Sequence, residues 1–177
     1  MQYTTLLLAL SLLGQPGFSQ KKASSSTQTK DRIEYICPMY CTDEVSSKPA
    51  ECPVCGMPME DRTIVENPKG YKIIHPDKAM KMMTAKGGLV LLDVRSVGEY
   101  NDELGHLRNS ILIPIKELEG RVDELEEHKD KTIITYCSHG VRSARAAKLL
   151  TQKGYKVYSL IGGLTKWNRD GLPVVRE

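Results

Sequence analysis

The sequence lacks a hydrophobic run long enough to cross a membrane, and it lacks a strong excess of one charge. Its N-terminal apolar stretch, residues 6–13, is eight residues long, whereas a membrane-spanning helix needs about 20. The net charge of +3 over 177 residues is too small to indicate a nucleic-acid partner. One local absence is informative, because residues 132–169 contain seven Lys or Arg but no Asp or Glu.

The first 20 residues carry no charged side chain, and the apolar stretch within them has the length of a signal-peptide core. Small residues follow it, which predicts cleavage after Ser19 or Gln20. No Cys stands between this stretch and Cys37, which argues against a lipoprotein cleavage site. We therefore expect residues 1–20 to be a signal peptide and the mature protein to be periplasmic or secreted, without a membrane span.

Composition divides the remaining chain into three parts. Residues 21–30 are polar and rich in Ser and Thr, which predicts a flexible linker. Residues 31–60 hold four of the five cysteines and a net charge of −4, from two basic and six acidic side chains. This segment has too few apolar residues to fold by burial alone. Residues 71–177 alternate apolar runs with amphipathic segments and are numerous enough for one well-buried domain.

The alternation in residues 71–177 predicts an α/β fold. Short apolar runs are typical of strands buried on both faces, and residues 71–74 predict a further edge strand. Helical patterns separate the runs, with helices expected to begin at Pro76, near Ile115 and at Val141. This order predicts a parallel sheet flanked by helices on both faces, with ligands bound at the carboxyl ends of the strands. The four apolar runs are residues 89–92, 111–113, 133–134 and 157–160.

Cys137 ends one of these runs and opens a loop that leads into the helix beginning at Val141. At a helix N-terminus, free backbone N–H groups and the helix dipole favour the thiolate and bind anions. The surplus of cations in residues 132–169 would attract a small dianion. A free Cys at a strand end is otherwise a small buried side chain with a packing role. Gly140 and Arg142 in the same loop favour a reactive thiol.

The loop and the segments around it resemble the rhodanese sulfurtransferases. The active-site loop of that family is matched by Cys137-Ser138-His139-Gly140-Val141-Arg142-Ser143. Three more elements follow the family's order, namely Asp93-Val94-Arg95 with Glu99-Tyr100, Gly105-His106-Leu107 before Ile113-Pro114, and Gly162-Gly163 with Trp167. Residues 109–112 depart from the family's pattern. The resemblance covers residues 71–177 and implies the rhodanese fold.

The resemblance implies that Cys137 transfers sulfur without a cofactor. Its thiolate would take the outer sulfur of a small anionic donor such as thiosulfate and pass it, as a persulfide, to a thiol or cyanide. Arg142 would pair with the sulfonate oxygens of the donor through its guanidinium fork. Backbone N–H groups of four residues would bind the anionic sulfur, those of Ser138, His139, Gly140 and Val141.

Two other functions remain open from the sequence. Phosphatases and arsenate reductases use a related thiol loop, but the phosphatases need a longer one. The six residues from Cys137 to Arg142 therefore favour sulfur transfer. The second alternative is a non-catalytic protein that handles metal ions or carries sulfide or persulfide.

The cysteines of residues 31–60 have the spacing C-x3-C-x10-C-x2-C, which is close to that of a zinc ribbon. The segment resembles the small heavy-metal-binding domain with the signature CPMH…CPxCGM. Tyr40 stands where that family has His, and Cys41 would replace it as a ligand. Thiolates suit Zn(II) or Cu(I), whereas two disulfides are the alternative in an exported protein. The expected ligands are Cys37, Cys41, Cys52 and Cys55.

Overall fold

Two β-sheets, one antiparallel and one parallel, organise the part of the chain that the structure describes. The structure is a computed structural model, and it describes residues 33–85 and 87–176. The predicted signal peptide, residues 1–20, and the predicted linker, residues 21–30, lie outside these residues. No helix in the described ranges is both long and apolar enough to cross a membrane.

The antiparallel sheet belongs to the cysteine-rich segment. Strand β1 (Tyr35–Ile36) lies between β2 (Val45–Ser46) and β3 (Glu60–Asp61). A short helix, α1 (Arg62–Glu66), follows at once, and the Asp61 carboxylate caps it by accepting from the backbone N–H of Thr63 at 2.8 Å. Two-residue strands bury little surface, so this segment has only a small core of its own.

The parallel sheet has five strands in the order β4-β8-β7-β5-β6, and every neighbouring pair is parallel. This confirms the predicted fold class, including an edge strand beginning near residue 71. Strand β7 is central and leads directly to Cys137. The strands are β4 (Lys72–Ile74), β5 (Leu89–Asp93), β6 (Ile111–Leu112), β7 (Thr132–Tyr136) and β8 (Lys156–Leu160).

Helices cover both faces of this sheet. Consecutive residues of β7 enter different cores: Ile133 packs with Leu150 on one face, and Ile134 packs with Trp167 and Ala79 on the other. All five side chains are at most 1% exposed, which is why the strand reads as a continuous apolar run. The helices are α2 (Pro76–Thr84), α3 (Val97–Tyr100), a 3₁₀ helix (Leu118–His128), α4 (Val141–Gln152) and α5 (Gly163–Arg169).

The segment expected to begin a helix near Ile115 is a 3₁₀ helix that begins at Leu118. Leu118, Val122 and Leu125 point into the core, as their spacing predicts. The last two are three residues apart, which places them on one side of a 3₁₀ helix. Gly120 lies within the segment and disfavours the α-helical conformation.

A buried ion pair shapes the carboxyl edge of the sheet. Asp93 ends β5, and its carboxylate binds the Arg95 guanidinium at 2.8 Å, with both side chains fully buried. Arg95 also donates to the Gly105 carbonyl at 2.7 Å. These contacts satisfy a charge pair that burial would otherwise destabilise. They give Asp93 and Arg95 a structural role at this edge.

Within the described residues, the cysteine-rich segment and the parallel sheet belong to one compact unit. Ile36 and Tyr40 form a buried cluster with Ile161, which follows β8. Val65 and Ile73 pack against the same cluster. The two parts of the chain therefore share a small apolar core beside the carboxyl ends of β4 and β8.

Candidate active site and metal centre

Cys137 lies at the carboxyl end of β7 and is only 1% exposed. Its Sγ accepts a hydrogen bond from the backbone N–H of Gly140 at 3.1 Å. Gly140 precedes α4 with φ of +103°, a conformation that side chains disfavour. A methyl group built on Gly140 would also lie 3.3 Å from the Gly162 nitrogen. Glycine therefore lets the loop turn tightly and aim an N–H at the thiol.

Ser143 supports the loop from within the first turn of α4. Its hydroxyl donates to the Gly140 carbonyl at 2.9 Å and lies 3.0 Å from the Ser159 hydroxyl. The Cys137 Sγ is 3.8 Å from the same hydroxyl. Ser143 is fully buried, so its role is to hold the loop in place.

The first turn of α5 holds the other side of the loop. The backbone N–H of Leu164 donates to the Cys137 carbonyl, and that of Thr165 donates to the Ser138 carbonyl, both at 2.9 Å. Gly163 has φ of +54°, and a methyl group built on it would collide with the Cys137 carbonyl oxygen. The Gly162-Gly163 pair is therefore required for α5 to approach the thiol loop.

Arg142 forms a two-pronged ion pair with Glu99. The two guanidinium Nη atoms donate to the two carboxylate oxygens at 2.7 and 2.6 Å. The Ser138 hydroxyl joins the pair, donating to Glu99 at 3.1 Å and accepting from Arg142 Nη2 at 3.1 Å. The Arg142 guanidinium holds the pKa of the Glu99 carboxyl well below its usual range.

Glu99 is a site residue to which the sequence interpretation gave no role. It also closes a capping box at the start of α3, where Ser96 and Glu99 bond each other's backbone N–H. The available signal was its place in the Glu99-Tyr100 element of the family pattern. Arg142 as a ligand of the sulfonate stays a prediction, since its two terminal nitrogens already face Glu99.

The remaining predicted residues of the loop differ in exposure. Ser138 is buried, whereas His139 is exposed and Val141 is 46% exposed. A cleft of about 530 Å³ adjoins the loop, and its lining includes Gly140 and Val141 from the loop and Pro38 and Ile64 from residues 33–66. Its wall also carries the basic side chains of Lys69, Arg145 and Lys148. This volume is within the usual range for a small-molecule site.

The structure brings the four predicted metal ligands together. Their sulfur atoms all lie within 4.8 Å of one another. Four thiols around one tetrahedral Zn(II) would be about 3.8 Å apart, given Zn–S bonds of about 2.3 Å. The measured S···S distances for four pairs run from 3.2 to 3.7 Å, between Cys37, Cys41, Cys52 and Cys55. The cluster therefore fits a single soft ion.

Two tight turns produce this cluster. The backbone N–H of Tyr40 bonds the Cys37 carbonyl at 2.9 Å, and that of Gly56 bonds the Cys52 carbonyl at 2.8 Å. Burial raises the pKa of the Cys52 thiol, but backbone N–H groups of Cys55 and Val54 outweigh it and lower the pKa to about 6. A thiol that ionises readily suits metal binding. The four thiols are free in the structure, and their spacing exceeds a disulfide bond of about 2.05 Å.

Two domain families match the chain. The Rhodanese-like domain family matches residues 75–170, and the Heavy metal binding domain family matches residues 34–61. A curated relative, the tRNA uridine(34) hydroxylase of Enterobacter sp. (strain 638), is 37% identical over 94 residues. That match covers 48% of this chain and 26% of the hydroxylase, so the chain spans about a quarter of its length.

Solved structures give the same result. A rhodanese-related protein from Thermoplasma volcanium is 36% identical to this chain, with a TM-score of 0.55. The match covers 60% of this chain and 100% of the Thermoplasma chain. A rhodanese-like domain protein from Staphylococcus aureus is 25% identical and has a TM-score of 0.51, covering 59% of this chain and 98% of its own. The family match extends over more than half of the sequence, and the five-stranded parallel sheet agrees with it. The chain therefore belongs to the rhodanese-like domain family.

Proposed function

We propose that this protein is a sulfurtransferase that carries sulfane sulfur on Cys137. The observation that supports it most strongly is the hydrogen bond from the Gly140 N–H to the Cys137 Sγ, at the start of α4. Such an N–H stabilises a thiolate before transfer and the terminal sulfur anion of a persulfide after it. No metal ion takes part in either step.

The reaction has two balanced steps. The Cys137 thiolate attacks the outer sulfur of thiosulfate, a new S–S bond forms, and the old S–S bond breaks with its electron pair leaving on sulfite. A thiolate or cyanide then attacks the outer sulfur of the persulfide, the S–S bond to Cys137 breaks, and its electron pair returns to the Cys137 Sγ. Charge is conserved in both steps, so no external oxidant or reductant is needed.

The cleft beside the loop supports the use of an acceptor larger than cyanide. It reaches Gly140 and Val141 and is lined by three basic residues and one acidic residue, Glu60, so its net positive charge complements a thiol that carries anionic groups. The cysteine cluster provides the second half of the proposal. Four thiolates would hold Zn(II) or Cu(I), which supplies a cross-link for a segment with little core of its own.

Other activities are weaker proposals. The relatives named tRNA uridine(34) hydroxylase share about a quarter of their length with this chain, which carries over the rhodanese-like domain alone. Phosphate chemistry is disfavoured by the six-residue loop from Cys137 to Arg142, because the phosphatases that use a related thiol loop need a longer one. We also propose that residues 1–20 direct export. Mass spectrometry of the protein recovered from a periplasmic fraction tests this proposal.

The experiment is a measurement of sulfite release from thiosulfate with cyanide or a thiol as acceptor. It uses the protein after its metal content has been determined, together with Cys137→Ser. Release by the native chain and none by Cys137→Ser supports the proposal. Equal release by both proteins, or phosphatase activity without sulfur transfer, rejects it.

A further inference from the structure

Tyr40 belongs to the cysteine-rich segment but is buried against the thiol domain. It lies between Cys37 and Cys41 in the first metal-binding turn, with φ of +50°. Its side chain is 7% exposed and packs with Ile36 and Ile161. Non-glycine residues rarely adopt a positive φ, and such conformations persist only where their surroundings enforce them. The position that the heavy-metal-binding signature gives to His is here occupied by an interdomain contact.

The Tyr40 side chain contacts the turn that supports the Cys137 loop. A methyl group built on Gly162 would lie 3.0 Å from Tyr40 Cβ, and one built on Gly140 would lie 3.3 Å from the Gly162 nitrogen. Gly140 in turn donates its N–H to the Cys137 Sγ. Tyr40, Gly162 and Gly140 thus lie next to one another, and Gly140 contacts the proposed nucleophile directly.

Helix α5 connects the same two sites by a second route. Its first turn donates backbone N–H groups to the Cys137 and Ser138 carbonyls. From its last turn, Arg169 donates to the Tyr40 carbonyl at 2.8 Å and to the Asp43 carboxylate at 2.9 Å. Helix α5 is only seven residues long and moves as one piece. A shift of the metal-binding turn that moves Arg169 therefore also moves the first turn of α5, which contacts the Cys137 loop.

We propose that Tyr40 is a positioning residue for the Cys137 loop, through which metal binding at the cysteine cluster sets the reactivity of Cys137. This rests on the proposed metal site and on Cys137 as the nucleophile. A metal ion held by Cys37 and Cys41 fixes the turn between them, including the positive φ of Tyr40. Without the ion the turn relaxes, and Tyr40 and its carbonyl no longer restrain Gly162 and Arg169.

The test measures how fast iodoacetamide alkylates Cys137 in the full chain, by mass spectrometry of the peptide that contains it. Reduced protein is compared with and without one equivalent of Zn(II). Tyr40→Gly removes the ring but tolerates the positive φ. Tyr40→Phe keeps the ring and removes only the hydroxyl, which donates to Glu66 at 3.4 Å. Circular dichroism verifies that each variant is folded.

We expect Zn(II) to change the Cys137 alkylation rate of the native protein by about fivefold or more, the lower end of coupling between two sites. Tyr40→Phe should retain this response. Tyr40→Gly should lose most of it while its cysteine cluster still binds Zn(II), because only the bond from Arg169 to the backbone carbonyl at position 40 remains. If the Cys137 rate of the native protein is the same with and without Zn(II), although Zn(II) suppresses alkylation of Cys52 and Cys55, the proposal is overturned. An unchanged Zn(II) response in Tyr40→Gly overturns it as well, because Zn(II) would then act without the Tyr40 side chain.

These readouts separate the inference from the proposed function. A protein that shows the Zn(II) effect on Cys137 but releases no sulfite from thiosulfate keeps the coupling and loses the sulfurtransferase assignment. A protein that transfers sulfur from thiosulfate at equal rates with and without bound Zn(II), with no change in Cys137 alkylation, keeps the assignment and loses the coupling.

Discussion

Arg142 and Glu99 are 43 residues apart in sequence and meet through two hydrogen bonds of 2.7 and 2.6 Å. The pair connects the loop after β7 to the helix after β5, across neighbouring strands of the sheet. Its side chains are about one third exposed, 34% for Arg142 and 32% for Glu99. It restrains the thiol loop from α3, in addition to the backbone hydrogen bonds that the loop receives from α5.

Glu99→Gln should lower the stability of the fold and loosen the thiol loop. Both oxygens of the carboxylate are charge-assisted acceptors, and partial exposure to water limits their contribution to about 1 kcal/mol. Urea unfolding followed by circular dichroism measures the change in the free energy of unfolding. Glu103→Gln is the matched control, because Glu103 is exposed. An equal effect of the two substitutions would mean that the Arg142 pair contributes nothing.

The same pair gives stability a defined pH dependence. Arg142 lowers the pKa of Glu99 in the folded protein, so the unfolded chain binds the proton more readily. The contribution is fully present above the unfolded pKa of about 4.3 and is lost as the pH falls towards the folded pKa. Glu99→Gln should therefore lose less stability than the native protein between about pH 4.5 and pH 3. If the free energies of unfolding of the native protein and of Glu99→Gln fell in parallel over this pH range, the expectation would be wrong.

Arg142→Ala should impair thiosulfate as a donor more than an uncharged sulfur donor. The substitution removes a cation from the loop and leaves the Glu99 carboxylate to repel a dianion. The kcat/KM for both donors measures this, with an expected excess loss for thiosulfate of about tenfold, or 1.4 kcal/mol. Adding Glu99→Gln should restore part of that excess. Equal losses for both donors, unaffected by the second substitution, would show that Arg142 only shapes the loop.

Gly163→Ala should destabilise the protein and slow sulfur transfer. The new methyl group would meet the Cys137 carbonyl at a backbone φ of +54°, and the strained backbone alone accounts for about 1–3 kcal/mol. Thermal unfolding and sulfite release report the two effects. Gly120→Ala is the control, because a methyl group there has no neighbour within 4 Å. A Gly163→Ala protein as stable and active as the control would contradict the described packing of α5.

Cys52→Ser should loosen the cysteine-rich segment and leave the parallel sheet folded. The Cys52 side chain is 2% exposed and its sulfur lies 3.2 Å from the Cys41 sulfur, so its loss removes a buried ligand from the cluster. Limited proteolysis should then cut within residues 33–61, and the bound Zn(II) should fall. Cys137→Ser should keep both metal and protease resistance. Disulfides between the four cysteines in purified protein, with no metal, would reject the metal site.

Local patterns were sufficient to predict the sheet and the position of Cys137 at the carboxyl end of one of its strands. Ile133 and Ile134 are consecutive and apolar because β7 is buried on both faces, and the end of such a strand placed Cys137 at the site. The glycines that hold the loop, Gly140, Gly162 and Gly163, belong to motifs that resemble those of the rhodanese family.

Contacts between distant segments were beyond the sequence interpretation. Residues 132–169 contain no acidic side chain, yet the fold supplies Glu99 to Arg142 and Asp43 to Lys166 and Arg169. The positive charge of this stretch is therefore partly neutralised. Tyr40 was recognised as a departure from the metal-binding signature, but its burial against Gly162 depends on how two segments pack, which no local pattern encodes.

The most direct test of the account is the mass of Cys137 after treatment with thiosulfate. We expect an added mass of about 32 Da, one sulfur atom, on the peptide that contains Cys137, and its loss on addition of cyanide with formation of thiocyanate. Cys137→Ser should show no added mass. Sulfur found on Cys37, Cys41, Cys52 or Cys55 while Cys137 stays unmodified would contradict the account.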